Sequence, residues 1–233
     1  IIFTNTNTIM NKEKVIIVGN GSSIFEKEYG ARIDSFDLVC RMNRGYFEGR
    51  EGYEKNVGSR TDILIVHDGF MTEEYLSDKV FNSLQKILVG TPAFKWDSEI
   101  NRIKESYSDY LDKIEFIPKN CEDKLKNISD FEHGWPSTGL IGSMYILENY
   151  KDVTLIGFDG YDKKYDYGHY FSETDDRTTE FFHDKFKDGH HKLDAERNTW
   201  NFLRDYYKPG VLSEWFTYNI TLFTKRNRWI GKN

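Results

Sequence analysis

The stretch Lys14-Val15-Ile16-Ile17-Val18-Gly19-Asn20-Gly21-Ser22-Ser23 decides the fold of this chain. Its β-branched run, residues 15–18, is typical of a short strand that is buried on both faces of a sheet. The two glycines allow a tight turn, and the two serines are N-cap residues for a helix that we expect at residues 24–29. A strand, a glycine turn and a helix in this order predict the opening unit of a parallel α/β sheet.

Outward from this unit, apolar runs alternate with amphipathic segments along most of the chain. Further strands are predicted at residues 36–42, 62–67, 86–90, 114–118 and 153–158, and helices at residues 73–84, 98–111, 140–150 and 192–206. The alternation predicts an α/β fold, a single Rossmann-like domain with a mainly parallel sheet flanked by helices. We expect residues 10–233 to form this domain, residues 1–9 to be a tail, and ligands to bind at the carboxyl ends of the strands.

Length and composition exclude several classes of protein. Hydrophobic residues make up 38% of the 233 residues, enough for one domain with a buried core, and the net charge of -6 argues against a nucleic-acid partner. No apolar run approaches the roughly 18 to 20 residues of a membrane-spanning helix, and the N-terminus lacks the basic start of a signal peptide.

The two cysteines indicate a cellular compartment. Cys40 and Cys121 have neither CxxC spacing nor a His/Cys cluster, so the sequence predicts no zinc site and no disulfide framework. This pattern favours a reducing, cytoplasmic location. Residues 225–230 mix cations with a tryptophan, which allows either a solvated end or peripheral contact with the inner face of a membrane.

The glycine turn, residues 19–22, is either a ligand loop or a plain tight turn. Glycine lets a ligand approach the backbone, and the start of a helix attracts phosphate, so Asn20, Gly21 and Ser22 are candidate binding residues. The turn departs from the dinucleotide pattern Gly-x-Gly-x-x-Gly, because Ile24 stands at the third glycine. The second strand also ends in Arg41-Met42-Asn43 instead of an acid, and both departures argue against NAD.

Polar residues follow three more predicted strands or loops. Asn43 lies between two arginines and can read a base or ribose, while the arginines can pair with phosphate; the alternative is a surface cluster of salt bridges. Residues 136–139, Pro-Ser-Thr-Gly, begin a helix and form either a second anion site or a cap without a ligand. Asp159 directly follows a strand and is the acid most suited to a site.

Two histidines are candidates for acid–base chemistry because imidazole titrates near neutral pH. His169 lies in the long polar segment after residue 158, and His191 lies at its end. Glu196 is expected on the first turn of the following helix, within reach of an imidazole there. The alternatives are structural or exposed histidines, or a zinc cluster that lacks recognised ligand spacing, which would comprise His169, His183, His190 and His191.

Taken together, these segments resemble the four sialylmotifs of the animal-type sialyltransferases, in the order of that family. The long motif is similar to residues 15–44, with Arg41-Met42-Asn43-Arg44, and continues through Val57-Gly58-Ser59-Arg60-Thr61. The short motif is similar to residues 136–140 and continues through Gly157-Phe158. The third resembles His169-Tyr170-Phe171-Ser172-Glu173, and the last resembles His191 with Glu196.

The resemblance implies an inverting glycosyltransferase with a GT-A-like variant fold that moves sialic acid from CMP-sialic acid to a glycan hydroxyl. It implies His191 as the base for the acceptor hydroxyl, His169 as the hydrogen-bond partner of the departing phosphate, and Glu196 as support for His191's motif. It assigns the sugar donor to a further set of residues: Asn20 and Asn43 at the nucleotide and phosphate, Ser137, Thr138 and Gly139 at the ribose or carboxylate, and Gly157 and Phe158 at the cytidine. No cofactor or metal is implied, because helix termini and an imidazole can stabilise a nucleoside monophosphate.

Two departures from the family are expected. The positions that resemble those of the family's disulfide are Val15 and Tyr150, so that bond cannot form, and we expect no Golgi anchor. We therefore expect a soluble or peripheral enzyme of a microbe or virus, acting in polysaccharide biosynthesis or on a lipid-linked glycan. The alternatives are a Kdo transferase that uses CMP-Kdo, a catalytically silent CMP-sugar-binding module, and an NAD-linked oxidoreductase that rests on the glycine turn alone.

Overall fold

One parallel sheet forms the centre of the computed structural model, which describes residues 11–47, 51–131, 134–159 and 192–211. Within these ranges the sheet has seven strands in the order β5-β4-β3-β2-β1-β6-β7, and every pairing is parallel. The strands are β1 Asn11–Val18, β2 Leu38–Met42, β3 Ile63–His67, β4 Lys86–Gly90, β5 Ile114–Phe116, β6 Tyr150–Ile156 and β7 Gly210–Val211. This confirms the predicted parallel α/β sheet, to which the structure adds the two-residue edge strand β7.

The central strands are buried on both faces, as their apolar runs predict. Val15, Ile16 and Ile17 of β1 are fully buried, and β1 pairs with β2 on one side and β6 on the other. A β-branched run suits this position because each side chain packs against helices on its own face of the sheet.

Eight α-helices lie in the described ranges. They are α1 Gly30–Asp34, α2 Arg44–Phe47, α3 Glu54–Val57, α4 Asp78–Ser83, α5 Trp96–Ser106, α6 Asn120–Ile128, α7 Thr138–Asn149 and α8 Leu193–Tyr207. One face of the sheet packs on α6, α7 and α8, and α4 and α5 lie on the opposite face.

Two predicted helices differ clearly from the structure, and one helix was not predicted. The expected helix at residues 24–29 is a short 3₁₀ helix, Ser22–Glu26, in which only Ser23 and Ile24 are buried. The helix expected at 73–84 shortens to α4, because residues 72–76 form a turn in which the Thr72 carbonyl accepts from two N–H groups. Helix α6 was not predicted, since its apolar contacts with the core are few.

No helix in the described part of the chain is both long and apolar enough to cross a membrane. The boundary predicted between a tail and the domain lies at the edge of the described residues, and it stays a prediction. The C-terminal residues 225–230 also lie outside the described ranges.

Candidate functional site

The glycine turn docks onto the end of β6. The Gly19 N–H donates to the Ile156 carbonyl and the Gly21 N–H to the Gly157 carbonyl, both at 2.8 Å. A Cβ atom on Gly19 would lie 2.2 Å from the Gly157 oxygen, so only glycine permits this approach. Phe158 lies beside the same turn and packs on Trp200 of α8, with ring centroids 4.8 Å apart. The structure thus brings Gly21, Gly157 and Phe158 together.

Asp159 binds the start of the 3₁₀ helix that follows the turn. Its carboxylate accepts a hydrogen bond from the Ser23 N–H at 2.8 Å and another from the Ser23 hydroxyl. Asp159 is buried, and a Cβ atom on Gly21 would lie 2.4 Å from its carboxylate. The Asp159 carboxylate therefore accepts the hydrogen bond of the Ser23 N–H, at the helix start where the sequence suggested that a phosphate would bind.

Asn20 lies against Gly45, two residues after Asn43. A Cβ atom on Gly45 would lie 2.0 Å from Asn20 Oδ1. Asn43 follows β2 with a left-handed φ of 43°, which asparagine tolerates better than most residues. Its N–H donates to the Ile65 carbonyl, and its Oδ1 accepts from the His67 N–H, both at 2.9 Å. These bonds fix Asn43 at the carboxyl edge of the sheet.

Arg41 does not face this edge, so the expectation that it pairs with a phosphate is wrong. The side chain is buried, with 1% exposed, and donates to the carbonyls of Val57, Gly58 and Arg60 and to the Thr61 hydroxyl. These acceptors belong to the continuation of the long motif. Residues 57–61 therefore supply the hydrogen-bond acceptors for Arg41, because a buried guanidinium needs several acceptors.

Ser137 caps helix α7 and is held by Glu196 of α8. The Ser137 N–H donates to Glu196 Oε1 at 2.5 Å, and the Ser137 hydroxyl donates to Glu196 Oε2 at 3.0 Å. The same hydroxyl oxygen accepts from the Leu140 N–H at 3.2 Å. Glu196 is 6% exposed. Glu196 thus binds the Ser137 turn, and the expected contact with an imidazole stays a prediction because His191 lies outside the described residues.

Burial raises the pKa of Glu196 to about 7, while the two hydrogen bonds from Ser137 oppose the shift. A carboxyl group with such a pKa changes its charge near neutral pH. Only the ionised form offers both oxygens as acceptors to Ser137.

The start of α7 packs beside the ends of β2 and β4. A Cβ atom on Gly139 would lie 3.1 Å from Met42 Sδ, and one on Gly90 would lie 3.8 Å from Thr138 Cγ2. Since Met42 immediately precedes Asn43, the Ser137–Gly139 turn and Asn43 belong to one edge. The predicted residues that the structure describes therefore converge from distant parts of the chain.

A second polar cluster at this edge was missed from the sequence. His67 ends β3, and its Nε2 lies 3.2 Å from Asp68 Oδ1, while Lys95 Nζ lies 2.5 Å from Asp68 Oδ2. The Gly69 N–H donates to His67 Nδ1 at 3.0 Å. Burial lowers the pKa of His67, against the opposing charge of Asp68. Nδ1 therefore accepts a hydrogen bond, whereas Nε2 lies near Asp68 Oδ1 without forming one.

His169 and His191 lie outside the described residues, and their roles stay predictions. Ranges 11–47, 51–131, 134–159 and 192–211 contain no group of three His, Cys, Asp or Glu residues that could hold a metal ion. The expectation of metal independence likewise stays a prediction.

The parallel sheet and its carboxyl edge, with a glycine turn, two asparagines and a capped helix start, define an α/β protein whose candidate site lies where ligands bind in such sheets. The family model described as "Glycosyltransferase family 29 (sialyltransferase)" matches residues 6–207. The chain belongs to this family of sialyltransferases, as the four motifs suggested.

Individual relatives agree with this membership. A CMP-N-acetylneuraminate-beta-galactosamide-alpha-2,3-sialyltransferase 1 from Gallus gallus is 32% identical over 66% of this chain and 46% of its own length. A CMP-N-acetylneuraminate-beta-1,4-galactoside alpha-2,3-sialyltransferase from Rattus norvegicus is 40% identical over 36% of this chain and 20% of its own length. The chain thus spans half or less of these curated relatives.

Two solved structures share the fold. A mammalian sialyltransferase superposes with a TM-score of 0.59 at 25% identity, covering 87% of this chain and 69% of that one. A mammalian sialyltransferase in complex with Gal-beta-1-3GalNAc-ortho-nitrophenol superposes with a TM-score of 0.55 at 25% identity, covering 87% and 70%. The fold predicted from the resemblance is confirmed.

Proposed function

We propose that this chain transfers sialic acid from CMP-sialic acid to a hydroxyl group of a galactoside, with inversion. The observation that carries the proposal is the convergence of Asn20, Asn43 and the Ser137–Gly139 turn at one edge of the sheet in a member of the sialyltransferase family. The relatives named above are described as α-2,3-sialyltransferases, one of a β-1,4-galactoside and one of a β-galactosamide, and from these we propose a terminal galactose as the acceptor.

In this proposal the edge holds CMP through backbone and amide groups. Asn20 and Asn43 bind the nucleotide and its phosphate, while Gly157 and Phe158 line the cytidine side. Thr138 and Gly139 carry the next N–H groups of the first turn of α7, where the helix dipole favours an anion such as the ribosyl phosphate or the donor's carboxylate. Gly21, Ser22 and Asp159 shape the turn beneath the nucleotide.

The proposed chemistry rests on two histidines. His191 takes the proton from the acceptor hydroxyl as its oxygen attacks the anomeric carbon, and His169 donates a hydrogen bond to the departing phosphate of CMP. Support for His191 comes from its place in the sequence directly before Lys192, whose carbonyl accepts from the Glu196 N–H at 2.9 Å. The motif that contains His191 is thereby attached to the Ser137 turn. No divalent cation takes part in this scheme.

The location and the natural acceptor are proposals of the same kind. We propose a cytoplasmic enzyme, alternatively attached to the inner membrane face, that builds a polysaccharide or a lipid-linked glycan. Its support is the pair of free, buried thiols, Cys40 and Cys121, and the absence of cysteine at Val15 and Tyr150. Cell fractionation of the native source tests this location.

A transfer assay tests the function. Purified protein is incubated with CMP-sialic acid or CMP-Kdo and with Gal-β-1,3-GalNAc, and the products are identified by mass spectrometry. We expect a sialylated product, formed equally in excess EDTA, and no product from His191→Ala, which still binds CMP. Transfer from CMP-Kdo alone would replace sialic acid with Kdo as the donor sugar. CMP binding without hydrolysis or transfer by the wild type would indicate a silent binding module.

A further inference from the structure

Phe94 is a solvent-exposed aromatic residue beside the proposed site. It is 74% exposed, more than the other large hydrophobic residues exposed in the described ranges, which are Phe25, Leu111 and Tyr206. Single exposed hydrophobic residues are common and need no explanation on their own. Phe94 differs because its ring lies against that of Trp135, with centroids 5.6 Å apart and planes inclined by 52°. Two rings from distant segments therefore form one surface.

The backbone that carries Phe94 is anchored on both sides. The Ala93 N–H donates to Glu122 Oε2 at 2.7 Å, and Glu122 is itself buried. The Trp96 indole N–H donates to the Ile117 carbonyl at 3.3 Å. Phe94 lies between them on a short 3₁₀ turn, Ala93–Lys95. Its exposure is therefore a fixed feature of the turn after β4.

This aromatic pair borders the candidate site. Trp135 precedes Ser137 by two residues, and β4 ends at Gly90 beside Thr138. On the other side of Phe94, Lys95 binds Asp68 at the end of β3. The pair thus lies at the carboxyl edge, next to the turn to which we assign the sugar donor.

The size and chemistry of the pair fit a sugar ring. A galactopyranose ring presents C–H groups on one face, and these carry partial positive charge that the negative face of an aromatic ring attracts. Two side chains offer far less area than the roughly 1,200 Å² that a stable protein interface buries. We infer that Phe94, supported by Trp135, forms a stacking subsite for a pyranose ring of the acceptor. The choice of a galactoside rests on the proposed function.

Kinetics of three Phe94 variants test the subsite. With Gal-β-1,3-GalNAc as acceptor, we expect Phe94→Ala and Phe94→Leu to raise the acceptor KM about tenfold, which is the effect of losing one contact of about 1.4 kcal/mol. Phe94→Tyr retains a ring and should stay within about twofold of the wild type. The KM for CMP-sialic acid and the slow hydrolysis of that donor without acceptor should not change.

Tyr206→Ala is the matched control, because Tyr206 is a 50% exposed aromatic residue near the far end of α8. It should leave the acceptor KM unchanged. An unchanged acceptor KM in Phe94→Ala would overturn the subsite. A normal KM in Phe94→Leu would overturn stacking as its basis, and so would an equal loss in Tyr206→Ala.

A separate measurement distinguishes this inference from the proposed function. If the wild type turns over no CMP-sialic acid, the proposed function fails, and the subsite is tested by saturation-transfer NMR with methyl β-galactoside. Transfer from aromatic protons to the sugar that disappears in Phe94→Ala supports the subsite. Equal transfer in both proteins, or none in the wild type, rejects it.

Discussion

Glu196 links its own ionisation to the geometry of the Ser137 turn. Its two oxygens accept the N–H and the hydroxyl of Ser137, and burial holds its pKa at about 7. A protonated carboxyl keeps one good acceptor and gains a donor, so one of these bonds weakens as the pH falls below 7. The residue acts on the proposed site through Ser137 and is a positioning residue.

We predict that Glu196→Gln becomes more stable relative to the wild type as the pH rises from 5 to 8. The pKa of Glu196 in the folded protein, about 7, lies above its ordinary value of 4.5. Protonation of this carboxyl therefore stabilises the folded state. The stabilisation is complete below pH 4.5, and it is lost as the pH rises through 7. Above pH 7 the buried charge costs about 3 kcal/mol, which the amide avoids. Urea unfolding at pH 5 and pH 8 measures the difference.

The exposed Glu105→Gln serves as the control for the loss of one negative charge. A difference between Glu196→Gln and the wild type that stays constant with pH would refute the assigned burial of this carboxyl.

Arg41 and Asn43 have different surroundings although they lie close together in the sequence. Arg41 and Asn43 are neighbours in one motif, and both carry groups that bind nucleotides in many proteins. The structure buries Arg41 among carbonyl oxygens and turns Asn43 to the edge. Side chains two residues apart on a strand share a face, so these two differ because β2 ends at Met42 and the backbone of Asn43 takes a left-handed φ.

At the scale of elements, the junction of β1 and β6 positions the glycine turn. Six residues of β1 pair with β6, and two further hydrogen bonds continue the pairing into the turn. The backbones approach so closely at Gly19 and Gly157 that neither position has room for a side chain. The close approach therefore fixes the position of the turn against the end of β6.

We predict that Gly19→Ala lowers the free energy of unfolding by about 1–3 kcal/mol, the usual cost of forcing extra volume into a packed region. The new methyl group would meet a backbone oxygen at 2.2 Å, and backbone cannot move as a flexible side chain can. Thermal melting should show a decrease of several degrees.

Gly90→Ala is the matched control at the end of β4, where the nearest atoms would be 3.8 Å from the new carbon. We expect its melting temperature to stay close to that of the wild type. Equal melting temperatures for Gly19→Ala and the wild type would contradict the close approach of β1 and β6.

Strands and helices of this fold differ in how well they can be predicted from the sequence. Strands β1 to β4 are continuous apolar runs, and their ends were predicted to within two residues, apart from the N-terminal extension of β1 to Asn11. Strand β7 has two residues, too few for any periodicity, and it exists through pairing with β6. Helix α6 places only Cys121, Glu122 and Leu125 in the interior, so its apolar stripe is narrow.

At the level of the whole molecule, both cysteines lie in the same hydrophobic core. Cys40 of β2 is fully buried and Cys121 of α6 is 2% exposed, and they belong to the same hydrophobic cluster between the sheet and its helices. Burial raises the pKa of Cys121 to about 12 and raises the pKa of Cys40 well above its usual range. Neither thiol is reactive while this face of the sheet remains packed.

We predict that a thiol reagent at pH 8 labels the native protein at least about 100-fold more slowly than the urea-unfolded protein, because labelling requires opening of the core. Glu105→Cys adds an exposed thiol on α5 and should be labelled at once. Mass spectrometry counts the modified sites over time. Labelling of Cys40 or Cys121 as fast as that of the added thiol would contradict a packed core in solution.

The parallel sheet, its central strands and the family could all be predicted from the sequence, because apolar runs and motif residues are local signals. Three contacts became visible only in the folded chain: Glu196 with Ser137, Asp159 with the start of the 3₁₀ helix, and Phe94 with Trp135. These pairs are 59, 136 and 41 positions apart in the chain. Contacts of this kind arise from the packing of whole elements, and no local pattern of residue types encodes which distant partner a side chain will find.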